Sequence, residues 1–163
     1  MTQPENLGRA VVITASDRAA AGQYTDRSGP LAAQGLAAMG FSVDPVVLVP
    51  DGEPVGQAIA QAVAAGAAVV LTTGGTGLAP RDLTPEVTRP LLTRELPQLA
   101  ALIAQRGVEA GVPTAVLSRG LAGLAGTTVV VNLPGSAGGV RDGLTVLEQV
   151  LPHAVAQARG RDH

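Results

Sequence analysis

Gly74, Gly75 and Gly77 interrupt the segment AAVVLTTGGTGLAPRDLTPE, which runs from Ala67 to Glu86. A turn without those three Cβ atoms lets successive backbone N–H groups converge on one anion, as phosphate-binding turns ahead of helices require. Asp82 lies in the same turn, and a carboxylate beside an anion cradle repels phosphate unless a cation stands between them. Glycine turn and aspartate together therefore read as a phosphate–Mg2+ site. The same residues read equally as a tight strand-to-helix connection, in which the glycines permit sharp turning and Asp82 bonds locally to the backbone.

A second stretch has the same design. Val129 to Val131 runs into Asn132-Leu133-Pro134-Gly135-Ser136-Ala137-Gly138-Gly139 and then a helix, giving a second candidate cradle with a hydroxyl at Ser136. Two further polar segments follow short apolar runs: Ser16-Asp17-Arg18, and Asp51 within Pro50-Asp51-Gly52. Two cradles and two aspartates suit a reaction that joins two phosphorylated molecules, with Asp51 and Asp82 binding Mg2+ to offset the charge between them. An attacking phosphate oxygen is already ionised and needs no base, which accounts for a site without histidine or cysteine. Taken alone, Asp51 also reads as an ordinary turn residue, and Arg18 and Arg81 read either as phosphate clamps or as solvated charges.

Composition removes several alternatives. All 11 basic residues are arginine, so a P-loop ending in Gly-Lys-Ser/Thr is impossible. A dinucleotide fingerprint counted from Gly75-Thr76-Gly77 meets Pro80 at its third glycine position. There are 0 cysteines and only His153 and His163, which excludes disulfides and thiolate metal sites and leaves almost nothing for a histidine cage. His163, as the last residue, is expected to fray, and His153 to sit at a core edge or interface. A net charge of −2 with 1 Phe and 1 Tyr argues against nucleic acid. No basic, apolar leader and no membrane-length apolar run is present, so a soluble cytoplasmic protein is expected.

The elements that must position these residues follow from periodicity. Strands are expected at 11–13, 41–49, 67–73, 114–117 and 127–133. Helices are expected at 30–39, on the Val55, Ile59, Val63 repeat, from Thr84 as N-cap to about Leu92, and from Pro97. A long last helix carries Val140, Leu144, Leu147, Leu151 and Val155, with Pro152 expected to bend or split it. Segment 16–30 reads as a loop. The βαβαβ rhythm predicts an α/β fold of three layers, a mostly parallel Rossmann-like sheet with helices on both faces and ligands beyond the carboxyl ends of the strands. One domain over 9–159 is expected, with tails at 1–8 and 160–163.

Ser16-Asp17-Arg18, Asp26-Arg27-Ser-Gly-Pro30, Val49-Pro50-Asp51, TTGGTG at 72–77, PRDLTPE at 80–86, LSRG at 117–120 and NLPGS at 132–136 together resemble the molybdopterin adenylyltransferases, in order and at family-like spacing. These are the Mog proteins and the G domains of gephyrin and plant Cnx proteins, and the resemblance runs from about Val11 to Arg159. It implies a homotrimer that transfers AMP from Mg-ATP to the terminal phosphate of molybdopterin, whose product a molybdenum insertase then uses. It assigns Asp51 and Asp82 as the essential acidic pair and Mg2+ ligands. Thr73, Gly74, Gly75, Thr76 and Gly77, with Ser16, Asp17 and Arg18, form the nucleotide-phosphate side. Asn132, Pro134, Gly135 and Ser136 form the molybdopterin side. Thr84 and Glu86 match positions near the site. Gln98, Ala101 and Ala104 depart from the common pattern, and Arg141 is expected to replace a lysine cation. The same fold occurs in MoaB proteins and in a competence-damage-inducible protein domain, so a non-catalytic molybdopterin-binding or scaffold role is the alternative.

Overall fold

A computed structural model describes residues 5–161. Its centre is a seven-stranded sheet. In chain order the strands are β1 (Arg9–Ala15), β2 (Ser42–Val43), β3 (Val47–Val49), β4 (Val69–Thr73), β5 (Arg94–Glu95), β6 (Ala122–Ala125) and β7 (Thr128–Leu133). They lie in the order β2-β1-β4-β7-β6-β5, with β3 continuing the β2 edge along β1. The pairings among β2, β3, β1, β4 and β7 are parallel, and β5 and β6 extend the sheet antiparallel.

Alternation along the strands separates two cores, because successive side chains point to opposite faces. Val12, Leu71 and Val131 stand side by side and meet α2 (Ser28–Met39), α5 (Pro97–Glu109) and α6 (Ala137–Ala158) through Leu36, Ile103, Leu147 and Leu151. Val11, Val70 and Val130 point the other way, onto Val55, Ile59 and Ala62 of α3 (Glu53–Ala64) and Val87 of α4 (Thr84–Thr88). Strands buried on both faces read as unbroken apolar runs, which is why VVI and VVV were legible. The three-layer, mostly parallel α/β architecture expected from the sequence is the one observed.

Several local expectations are corrected. Segment 114–117 is a 3-10 turn (Pro113–Leu117), because Pro113 withholds a ladder donor and the chain never reaches a partner strand. The 41–49 strand is two pieces, β2 and β3, with Pro45 between them. Ser16 caps a helical turn α1 (Asp17–Ala20) within the expected loop, its Oγ accepting from Ala19 N–H at 3.2 Å. α2 begins at Ser28, ahead of Pro30, with the Gly29 N–H donating to Asp26 Oδ1 at 3.0 Å.

α6 runs through Pro152 unbroken. The carbonyl freed by its missing N–H belongs to Glu148, on the exposed side of the helix, where water can satisfy it. Residues 5–8 are not a loose tail: Leu7 packs on the core and its N–H donates to Gly40 O at 3.2 Å. The remainder of the expected N-terminal tail, and His163, lie outside the described residues.

Candidate active site

Register brings the polar segments to one rim. Thr14 pairs with Thr73 and Thr73 with Leu133, so β1, β4 and β7 end level, and Ser16, Gly74 and Pro134 leave the sheet together. Ala15 pairs with Val49, which delivers Asp51 to the same rim.

The two glycine turns touch. Gly74 adopts φ +88°, donates its N–H to Leu133 O at 3.0 Å, and approaches Ala15 O too closely for any Cβ. A Cβ on Gly135 would lie 3.2 Å from Gly74 Cα. This backbone contact forms a ridge between a cavity of about 650 Å3 and one of about 340 Å3, both lined by Gly74, Gly135 and Ser136. The larger also takes in Gly75, Thr76, Gly77 and Asp82. A third cavity, of about 210 Å3, gathers Ser16, Asp17, Arg18, Asp51 and Arg81, so both arginines share a cavity with Asp51.

Thr84 departs from its expected capping role. It is the first residue of α4, with Leu83 as N-cap; its hydroxyl donates to Gly74 O at 2.9 Å and its N–H to Gly75 O at 3.0 Å. The residue that would have capped the helix therefore pins the glycine turn. Gly75 adopts φ +70°, and a Cβ there would collide with Thr84 Oγ1 and sit 3.2 Å from Asp51 Oδ1. Asp51 and Asp82 thus flank one turn: Asp82 Oδ2 is 2.8 Å from where a Cβ on Gly77 would stand.

Asp51 and Asp17 exchange backbone bonds, the Asp17 N–H donating to Asp51 Oδ2 at 3.2 Å and the Asp51 N–H to Asp17 Oδ1 at 2.9 Å. Burial raises the Asp51 pKa above the ordinary carboxylate value. The charges of Asp17 and Asp82 push the same way, against the Asp17 N–H bond and Arg81. A folded-state pKa above the unfolded one contributes stability that is present at low pH and lost as pH rises through the folded value. In metal-free protein at neutral pH, the ionised Asp51 is therefore a cost. Asp51→Asn keeps the acceptor for the Asp17 N–H and is expected to raise the metal-free melting midpoint at pH 7 by about 1–2 °C. The gap should close as pH falls and wild-type Asp51 takes up its proton; a lower midpoint for the variant at pH 7 would contradict this origin of the shift.

Asp82 accepts the Ala79 N–H at 3.0 Å, the local backbone bond that the sequence allowed for it. Arg119, which the sequence reading left without a role, organises this loop. Its Nε donates to Gly77 O at 2.9 Å and its Nη2 to Asp82 O at 2.7 Å, while Nη1 reaches both Glu86 carboxylate oxygens at 2.9 and 2.7 Å. One guanidinium fork thus closes both ends of the 77–82 loop and ties it to α4. The Arg119 hydrogen bond holds the Glu86 pKa below its ordinary value. That contribution is present above the ordinary range and lost as pH falls through the lowered value, and it is modest because the pair is solvated. The signal was the LSRG motif, but no spacing rule connects residue 119 to residue 82.

Asn132 is buried, and its amide faces inward: Nδ2 donates to Thr72 Oγ1 at 2.9 Å and Thr88 Oγ1 at 3.2 Å, and Oδ1 accepts from Leu121 N–H at 3.0 Å. Its side chain braces β7 against β4 and α4. Thr73 is likewise buried, in a hydroxyl network with Thr14 and Ser28 that Asp26 anchors. Ser136 caps α6, accepting the Gly139 N–H at 3.0 Å, and is exposed to both larger cavities with its hydroxyl hydrogen left to donate. Arg141 does not join them. It lines a groove between α2 and α6 with Leu144 and Glu148.

Asp51 and Asp82 fit Mg2+ in donor type: both offer hard carboxylate oxygens, and Asp51 carries excess negative surroundings that a cation would relieve. No group of three or more His, Cys, Asp or Glu residues able to hold a metal occurs among the described residues.

Comparison with known proteins identifies the family. Residues 11–153 match the family model described as "Probable molybdopterin binding domain". A molybdopterin adenylyltransferase of Pyrococcus furiosus is 38% identical over 152 residues, covering 91% of this chain and 89% of the relative. A molybdenum cofactor biosynthesis bifunctional protein of Synechococcus elongatus is 42% identical over 156 residues, covering 94% of this chain and 48% of the relative. The chain thus spans about half the length of the first curated relatives it matches. The structure of the molybdopterin biosynthesis Mog protein from Mycobacterium ulcerans superposes with a TM-score of 0.88 at 50% identity, over 93% of this chain and 99% of that one. With two touching glycine cradles, an acidic pair across one turn and these matches, the chain belongs to the molybdopterin-binding domain family.

Proposed function

We propose that this protein is a molybdopterin adenylyltransferase of molybdenum cofactor biosynthesis, acting on Mg-ATP and molybdopterin. The observation that carries the proposal is the placement of Asp51 and Asp82 on one glycine turn, Asp51 beside Gly75 and facing the 210 Å3 cavity, Asp82 beside Gly77 and facing the 650 Å3 one. A terminal phosphate oxygen of molybdopterin attacks the α-phosphorus of ATP. The new P–O bond forms as the bond from that phosphorus to the bridging oxygen breaks, releasing pyrophosphate and leaving AMP on the acceptor. Mg2+, held by Asp51 and Asp82, would supply charge neutralisation for the phosphates.

The chain's own residues align the reactants. Main-chain N–H groups of Gly75 to Gly77 and of the start of α6 cradle the phosphates, Arg18 and Arg81 clamp the nucleotide side, and Ser136 donates its hydroxyl to the acceptor phosphate. Homotrimer assembly, docking of a molybdenum insertase and a cytoplasmic location belong to the same proposal. Exposed Val112, Val116 and Leu117 support self-association, and no helix among the described residues is long and apolar enough to cross a membrane.

Mixing the protein with Mg-ATP and molybdopterin tests the activity: equal amounts of adenylylated pterin and pyrophosphate are expected, and molybdopterin binding without either product would favour the non-catalytic alternative. Ser136→Ala is expected to raise KM for molybdopterin about tenfold while leaving ATP affinity within about twofold. Loss of the α6 cap should cost about 1 kcal/mol. Equal weakening of both ligands in calorimetric titration would count against separate cradles.

A further inference from the structure

The 650 Å3 cavity extends from the glycine turns to a cleft between α5 and α6, where its walls change character. Ala100, Ile103 and Ala104 of α5, with Val112 and Ala115 beyond it, make an apolar wall, and Asp142 of α6 is the one charged side chain at that end. Gly107 lets the Pro113–Leu117 turn pack closely on α5, since a Cβ there would meet Ala115 Cβ at 2.7 Å, and Asp142 Oδ2 stands 4.0 Å from that same position. Among the described residues, none donates a hydrogen bond to the half-buried Asp142 carboxylate or forms an ion pair with it.

A carboxylate accepts best, through its two oxygens, from two parallel N–H groups. It repels phosphate, so the phosphorylated end of a ligand belongs at the opposite end of the cavity, by Gly75, Gly135 and Ser136. We propose that Asp142 reads the 2-amino-4-oxopyrimidine edge of a pterin, the ring N3–H and the exocyclic amino group donating to its two oxygens while the ring lies against α5. This rests on the acceptor being molybdopterin. Adenine presents one donor beside one acceptor on its pairing edge, and the acceptor would face the carboxylate, so this end of the cavity selects against the other substrate's base.

Titration by pterin fluorescence tests the assignment without turnover. The probes are 6-hydroxymethylpterin and 6-hydroxymethyl-lumazine, in which an oxo group replaces the amino donor. Wild-type protein is expected to bind the pterin at least about tenfold more tightly than the lumazine, and Asp142→Asn to lose that preference with ATP affinity and melting midpoint unchanged. Equal binding of the two probes by wild type, binding of neither at millimolar concentration, or full preference in the variant would overturn it. So would loss of ATP affinity alone, which would hand the cleft to the nucleotide. A wild type that prefers pterin but forms no adenylylated product would defeat the catalytic reading and leave this one standing.

Discussion

Asp82→Asn is expected to keep the fold and lose about a thousandfold or more in kcat for pyrophosphate release. The fold survives because Asp82 is only half-buried and its one described side-chain bond, from the Ala79 N–H, is equally available to an asparagine oxygen. Activity fails because a neutral amide neither attracts a divalent cation strongly nor offsets the charge of two converging phosphates. Pyrophosphate release in the presence of molybdopterin, measured beside a thermal melt, checks both halves. A melting midpoint within about 2 °C of wild type is expected, and wild-type turnover would remove Asp82 from the mechanism.

Arg119→Ala should produce the second largest effect, about a hundredfold in kcat with little change in KM for ATP, because displacing a reacting group by about 1 Å costs on that order. The substitution removes the donors to Gly77 O and Asp82 O and leaves Glu86 without its cation, so the loop that carries Asp82 opens at both ends. Arg119→Lys should rescue little, since an ammonium cannot reach three acceptors set out for a planar fork. Backbone hydrogen exchange supplies a reading independent of turnover: residues 77–83 should exchange faster in the variant, while β4 and β7 stay protected. Unchanged exchange together with unchanged kcat would make Arg119 a surface residue with a convenient partner.

The sequence made the scaffold and the acidic pair legible for one physical reason. Parallel strands buried on both faces, such as Val69–Thr73 and Thr128–Leu133, are short apolar runs that must end in polar turns, and in such sheets those turns share one rim. Asp51 and Asp82 could be placed by that topology alone. The β5–β6 extension was illegible because Ala122–Ala125 holds no β-branched or aromatic residue and β5 is only Arg94–Glu95; pairing, not propensity, makes them strands. Long-range side-chain choices were illegible too. Thr84 carries every mark of an N-cap but bonds across the turn to Gly74 O, and Asn132, though it lines the cavity, donates its amide N–H groups to Thr72 and Thr88. Arg119 is 37 residues from Asp82 in sequence, and Asp142 rather than Arg141 enters the cavity. Each depends on which helix face meets which loop, and that is decided by packing.

The most direct measurement is a crystal structure with Mn2+ replacing Mg2+, a non-hydrolysable ATP analogue and molybdopterin, with anomalous data collected to locate the metal. The account predicts an anomalous peak coordinated by both Asp51 and Asp82 and by phosphate oxygens, above the Gly75 turn. A peak bound by neither carboxylate, or ligands seated at the opposite edge of the sheet, would contradict it.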